Sequence, residues 1–189
     1  MKNKKIYFLV EAAVLAALYV VLTVLVAPIA FGPVQFRISE ALMLLPALMP
    51  ASLLGLPLGV FLANLLFGGL GWIDITFGTL ATILVVIVTR WLAVRFQLTP
   101  ETSKLSSSSA LWKKPGLYTL PIPAILFNAL IVGSYLPILL PELRTESSSF
   151  VMVLLVSILQ LAVSEAVVVY VLGLAFFVGL FHYFSKRRT

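Results

Sequence analysis

The chain reads as an all-α integral membrane protein, a single transmembrane domain over residues 1–189 with six helices and both termini in the cytoplasm. Three observations lead there. The 189 residues are 61% hydrophobic and only 11% charged, whereas soluble domains carry about a quarter charged residues. Mean hydropathy is +1.13, and no compact globule hides that much apolar surface from water. The apolar residues fall in long runs, and the lysines and arginines gather at the ends of those runs.

A spanning helix needs about 20 mostly apolar residues. The first run, 6–30, is interrupted only by Glu11. Its basic start imitates a signal peptide and "APIA" at 27–30 imitates a cleavage site. The run is, however, longer than the ~7–15 residues of a signal's apolar region, so it reads as a retained helix. Residues 39–54 and 56–67 are two shorter spans, separated by Gly55 and Pro57 and disturbed by Pro46, Pro50 and Pro57. Such breaks persist in a membrane where neighbouring helices or cavity water satisfy the freed backbone groups. Residues 73–96 make the fourth span. The polar stretch 97–116 contains "SKLSSSS" and Lys113-Lys114; spans 117–140 and 150–184 follow. No internal repeat is visible.

With the N-terminus inside and six alternating helices, Lys2, Lys4, Lys5, Arg90, Arg95, Lys104, Lys113, Lys114, Lys186, Arg187 and Arg188 lie on the cytoplasmic side. Only Arg37 and Arg144 lie outside. This is the positive-inside bias, and the expected location is a cell membrane, crossed several times, of the bacterial cytoplasmic kind. It also explains the net charge of +6 without nucleic acid. There is no cysteine, so disulfides and thiolate chemistry are excluded. A single histidine, His182 at the far end of the last run, excludes multi-histidine zinc sites.

Polar residues amid the apolar runs carry the functional reading. "GPVQFRISEALMLLP", 32–46, brings Gln35, Arg37 and Glu40 to one place on the outer face. Ser39 and Glu40 have a plain reading as helix cap and first-turn acid, with Arg37 paired to Glu40. The three polar residues also suit recognition of a polar, planar molecule, and both readings stand. Within the spans lie Asn64, Asn128, Gln160 and Glu165. A carboxylate at mid-membrane costs about 2.5–3.5 kcal/mol on the insertion scale and marks a candidate site. Asn128 and Gln160 read as its companions in ligand contact, and Asn64 as part of an interhelical network. "GGLGWID" lacks the lysine of a phosphate-binding loop. Trp72 is either an interfacial-belt residue or a stacking platform for a ring, with Asp74 beside it. In the first helix, Ala12 with Ala16 and Ala13 with Ala17 form two small-residue columns, either an internal packing face or a face for a partner helix.

Taken with these residues, the chain resembles the substrate-binding S components of energy-coupling-factor (ECF) vitamin transporters. "FGPVQFRISEALMLLP" and "SEAVVVYVLG" (164–173) are similar to the QueT branch, proposed carriers of queuosine precursors. The resemblance covers nearly the whole chain; the Ser-rich insertion matches no part of it. It implies six helices with a site near the outer face, closed by the loop after helix 1. It implies a 7-deazaguanine ligand, such as the cyano- or aminomethyl-substituted base. It further implies docking of Ala12, Ala13, Ala16 and Ala17 on a transmembrane coupling subunit driven by two ATPases. The sequence has no Walker A motif, so no cofactor is expected and any ATP is used by those partners. The binding residues expected are Gln35, Arg37, Glu40, Trp72, Asp74, Asn128, Gln160 and Glu165. The rival readings are a stand-alone proton-coupled transporter, an S component for another vitamin, and a membrane hydrolase, the last failing for want of a nucleophile and base in the polar cluster.

Overall fold

Helix α1 (Lys4–Leu25) leads into a short α2 (Ala27–Ala30), followed by a 3₁₀ segment, Ile38–Ala47. Next come α3 (Ser52–Ala63), a π turn (Asn64–Gly68) and the long α4 (Gly71–Arg95). After α5 (Ser108–Trp112) the chain passes through a 3₁₀ turn (Pro115–Thr119), α6 (Ile122–Phe127), a π turn (Asn128–Val132) and α7 (Gly133–Leu139). A last 3₁₀ turn, Pro141–Leu143, precedes α8 (Phe150–Val167), a third π turn (Val168–Gly173) and α9 (Leu174–Lys186). This computed structural model describes residues 3–31, 35–68, 70–103, 108–143 and 149–186. Gly32 and Pro33, most of the Ser-rich insertion and Arg144 lie outside the described residues.

Among the described residues, four helices are long and apolar enough to cross a membrane: Lys4–Leu25, Gly71–Arg95, Pro115–Leu139 and Phe150–Phe184. With their exposed apolar flanks, such as Leu25, Leu155 and Leu159, they make this a multi-pass membrane protein. The other two expected spans are shorter, Ile38–Ala47 and Ser52–Gly68. The expected helix 39–54 is corrected on two counts. It is wound as a ten-residue 3₁₀ helix, and it ends at residues 48–51, beside Pro50, rather than at Gly55.

Packing explains both corrections. Every residue from Ser39 to Leu48 is buried, so the segment runs through the bundle interior and is apolar nearly all round. At about 2.0 Å per residue a 3₁₀ helix reaches farther than an α-helix of the same length, although long runs are uncommon. Here Glu40 sits at one end near Asn128, while at the other Arg90 Nη1 donates to Pro46 O (3.1 Å) and Ala47 O (3.4 Å). The guanidinium caps carbonyls that no further helical turn satisfies. Gly55 does not break α3 but brings it against α1. A Cβ there would meet Ala12 O at 2.5 Å, and one at Gly59 would meet Tyr19 Cβ at 2.8 Å.

These contacts fix direction. α3 runs parallel to α1, because Gly55 faces Ala12 and Gly59 faces Ala16 and Tyr19. α4 is antiparallel to the 115–139 helix, with Phe96 against Gly116 and Asp74 against Tyr135. α8 and α9 run alongside the 3₁₀ segment, whose Ala41 and Leu44 face Gly173. A core of Leu15, Tyr19, Leu44, Leu56, Val85, Phe177 and Phe181 holds them together.

The alanine columns of α1 divide. Ala12 and Ala16 are buried at 2% and 3% exposure against Gly55 and Gly59, an internal small-residue seam rather than a docking surface. Ala13 and Ala17 are exposed.

Candidate ligand-binding site

Polar side chains from five segments converge on one small enclosed space. It is lined by Gln35, Arg37 and Glu40, by Gly78 and Thr82 of α4, by Asn128 and Val132, and by Leu161 and Glu165 of α8. Its volume is about 10 Å³, room for about one water. Larger recesses of about 470 and 380 Å³ open on the outside of the bundle. Their walls are mainly apolar, so they are surface grooves without a polar recognition set.

Each lining group is held by its element. Gln35 has a left-handed backbone, φ +47°, uncommon for a residue with a Cβ and typical of strained functional positions. The residue is 3% exposed and its Nε2 has no hydrogen-bond partner. Arg37 follows, with Nε donating to Ala30 O at 3.0 Å and Cζ 5.1 Å from the Phe31 ring centroid. Its Nη2 is buried and unpartnered. Arg37 does not pair with Glu40: the ion pair recorded among the described residues is Arg90–Glu101. Nor is Ser39 a helix cap, since the 3₁₀ segment is entered at Arg37, and Ser39 Oγ shares a 2.7 Å hydrogen bond with Thr23 Oγ1.

The acids are bound into a network. Tyr19 donates to Glu40 Oε1 at 2.5 Å. Asn128 Nδ2 donates to Glu165 Oε1 at 3.1 Å and to Glu40 Oε2 at 3.4 Å. Asn128 thus clamps two carboxyl groups that are 88 residues or less apart from it in sequence. On α4, one turn before Gly78, Asp74 is 1% exposed. Its Oδ1 accepts from Tyr135 at 2.7 Å, and its Oδ2 is buried without a partner. Asn64 Nδ2 donates to Asp74 O at 3.1 Å, the interhelical role expected of it.

Two of the three π turns begin at buried asparagines, Asn64 and Asn128, and the third begins three residues after Glu165. π turns concentrate at functional sites because the extra residue re-aims side chains and loosens the local hydrogen-bond ladder. Here they flank the polar network on three helices.

Gln35, Arg37, Glu40, Asn128 and Glu165 are therefore brought together, whereas Asp74, one turn from the lining residue Gly78, is buried behind it against Tyr135. Two expected members are not. Trp72 is 72% exposed at the start of α4, in the position of a belt residue. Gln160 lines the outer groove with Phe36 and Leu159, because it falls on a different side of α8 from Leu161 and Glu165. Tyr19, Thr82 and Tyr135 were not among the expected residues. Tyr19 lies at helical spacing from Ala12 and Ala16, and Tyr135 at helical spacing from Asn128, so periodicity carried a signal for both.

Chemically, the lining combines donors (Gln35 and Arg37) with acceptors (Glu165 and the Asn128 side-chain carbonyl). Such an arrangement reads a planar molecule with both functions on one edge.

Comparison with known proteins bears on the same chain. The family model described as "QueT transporter" matches residues 9–181. A curated protein from Lactococcus lactis subsp. cremoris (strain MG1363), "Queuosine precursor transporter QueT", is 35% identical over 85 residues. That alignment covers 44% of this chain and 49% of the relative, about half its length. No solved structure matches.

Proposed function

The chain belongs to the QueT transporter family, and from that premise we propose that it binds and carries a queuosine precursor, a 7-deazaguanine base, as the membrane subunit of an ECF-type transporter. A transporter family sets enzyme readings aside. The observation that carries the substrate reading is the small cavity whose lining joins Arg37 and Gln35, each with an unpartnered buried donor, to the Glu165 carboxyl group. A guanine-type edge presents a ring N–H and an exocyclic amine side by side, which one carboxylate accepts together, and a carbonyl that Arg37 or Gln35 donates to.

The closed volume of about 10 Å³ is far smaller than a fused ring. Gln35 and Arg37 therefore withdraw to admit the base and return over it. On this reading the chain crosses six times with both termini cytoplasmic, which puts the lid at the outer face and agrees with the distribution of lysine and arginine. The exposed Ala13 and Ala17 form the face that meets the coupling subunit. Two partner ATPases supply the energy.

Equilibrium binding to the purified protein, across purines, 7-deazaguanines and vitamins, tests the proposal. Selective binding of a deazaguanine supports it, and selective binding of a vitamin would make the protein an S component of another kind. A second reading, proton-coupled transport by the protein alone, is favoured by the Glu40–Asn128–Glu165 arrangement, since paired carboxyl groups hold and release protons. Proteoliposomes containing only this chain discriminate: uptake without partners or ATP favours the second reading.

A further inference from the structure

Closing the lid buries a charge. Arg37 is 6% exposed, with Nε bound to Ala30 O and Nη2 unpartnered. Taking a guanidinium out of water is costly unless an opposite charge stands close by. Two carboxyl groups are near enough to act on it, those of Asp74 and Glu40. Glu40 is already committed, since its two oxygens accept hydrogen bonds from Tyr19 and Asn128. Asp74 is placed differently. It is buried on α4, apart from the lid, and does not line the cavity. Tyr135 donates to its Oδ1 at 2.7 Å, and its buried Oδ2 has no hydrogen-bond partner. That free oxygen lies on the side of Phe31: Oδ2 and Phe31 Cε1 are 3.4 and 3.5 Å from where a Cβ on Gly68 would be. The centroid of the same Phe31 ring is 5.1 Å from Arg37 Cζ. Guanidinium and free carboxylate oxygen thus gather about one ring, where the lid meets α4.

We infer that Asp74 is a positioning residue of the lid: its carboxylate is the counter-charge that seats Arg37 and so holds residues 35–37 closed over the site. This rests on the lid motion of the reading above, but not on which base the site takes. Closed, the guanidinium is buried near Asp74; open, water solvates it. Asp74 acts on a ligand only through Arg37. A neutral residue in its place leaves the closed state with a buried charge short of this partner, and the equilibrium moves toward the open lid.

The test is double electron–electron resonance on the full-length, ligand-free protein, with spin labels at Phe36 and at the exposed Leu155 of α8. The chain has no cysteine of its own to take a label. Asp74→Asn keeps the size and the acceptor for Tyr135 and removes the charge. It is expected to raise the open-to-closed ratio at least about threefold. Arg37→Gln is expected to raise the ratio too, and adding Asp74→Asn to it to change the ratio by less than about twofold. Tyr135→Phe loses the hydrogen bond and keeps the charge, so it should stay within about twofold of the wild type. An unchanged ratio in Asp74→Asn, in a protein whose lid moves, overturns the inference alone. So does equal opening by Tyr135→Phe, which would assign the effect to the packing of α4, or effects of the two charge variants that simply multiply. If Asp74→Asn does not fold, a thermal melt of the double variant decides: recovered folding supports the pairing, and no recovery overturns it. A single distance shared by every variant, with and without 7-deazaguanine, overturns the lid reading and this inference with it.

Discussion

Glu165 and Glu40 show how neighbouring acids acquire different work. Tyr19 and Asn128 hydrogen-bond the two oxygens of Glu40, Asn128 also holds Glu165 Oε1, and the two carboxyl groups meet each other side by side. Glu40 takes the larger share of the hydrogen bonds, and Glu165 is the acid proposed to meet the ligand. Glu165→Gln keeps the size but turns an acceptor into a donor facing the ligand's donors. With charge-assisted bonds contributing about 1.5–3 kcal/mol, binding of a 7-deazaguanine base should weaken at least about tenfold, with unfolding unchanged. Calorimetry paired with a thermal melt reads both, and equal affinity would make Glu165 structural. Tyr19→Phe should behave in the opposite way. It strips a buried donor from Glu40 and should lower stability by about 1–3 kcal/mol, measured by denaturant unfolding. At this scale the polar set Gln35, Arg37, Glu40, Asn128 and Glu165 was legible, because each is expensive in an apolar stretch and needs a reason. Trp72 and Gln160 are equally conspicuous in sequence but face outward. Polarity reports that a residue is unusual; only the helix's rotation reports where it points.

The contrast between the two alanine columns is a property of elements. Gly55→Ala adds intrinsic helix propensity of about 1 kcal/mol, but its Cβ would meet the Ala12 carbonyl oxygen at 2.5 Å. Backbone oxygen cannot rotate away, so the clash wins, and a net loss of about 1–3 kcal/mol is expected in an unfolding titration. Ala17→Trp, on the exposed column, should leave folding and ligand binding intact and abolish uptake by cells that supply the partners. Retained uptake would remove that face from the docking proposal. The 3₁₀ segment was the element least legible in advance. Its length and apolar composition match a short α-helical span, and nothing local demands 3₁₀ winding. The winding follows from its two fixed ends, Glu40 at the polar network and the Pro46–Ala47 carbonyls at Arg90.

Closure of the site belongs to the whole molecule, since its walls come from segments 35–40, α4, the Asn128 π turn and α8. A base cannot occupy about 10 Å³, so binding requires residues 35–37 to move relative to the other walls. Spin labels at Phe36 should show greater mobility or a longer distance to α8 without ligand than with 7-deazaguanine bound. Identical spectra in both states would refute the gating role.

The sequence by itself determined the membrane class, the four long spans and the family. Each depends on composition or on runs and motifs continuous along the chain, and hydrocarbon enforces them one segment at a time. Tertiary structure alone decided which alanine column packs inside, that residues 38–47 run as a buried 3₁₀ helix, that Tyr19 and Tyr135 hydrogen-bond buried acids, and that Trp72 and Gln160 lie away from the cavity. Those outcomes depend on helix rotation and on contacts such as Asn128 with Glu40, 88 positions apart. Residues so distant share an environment only once the bundle has packed.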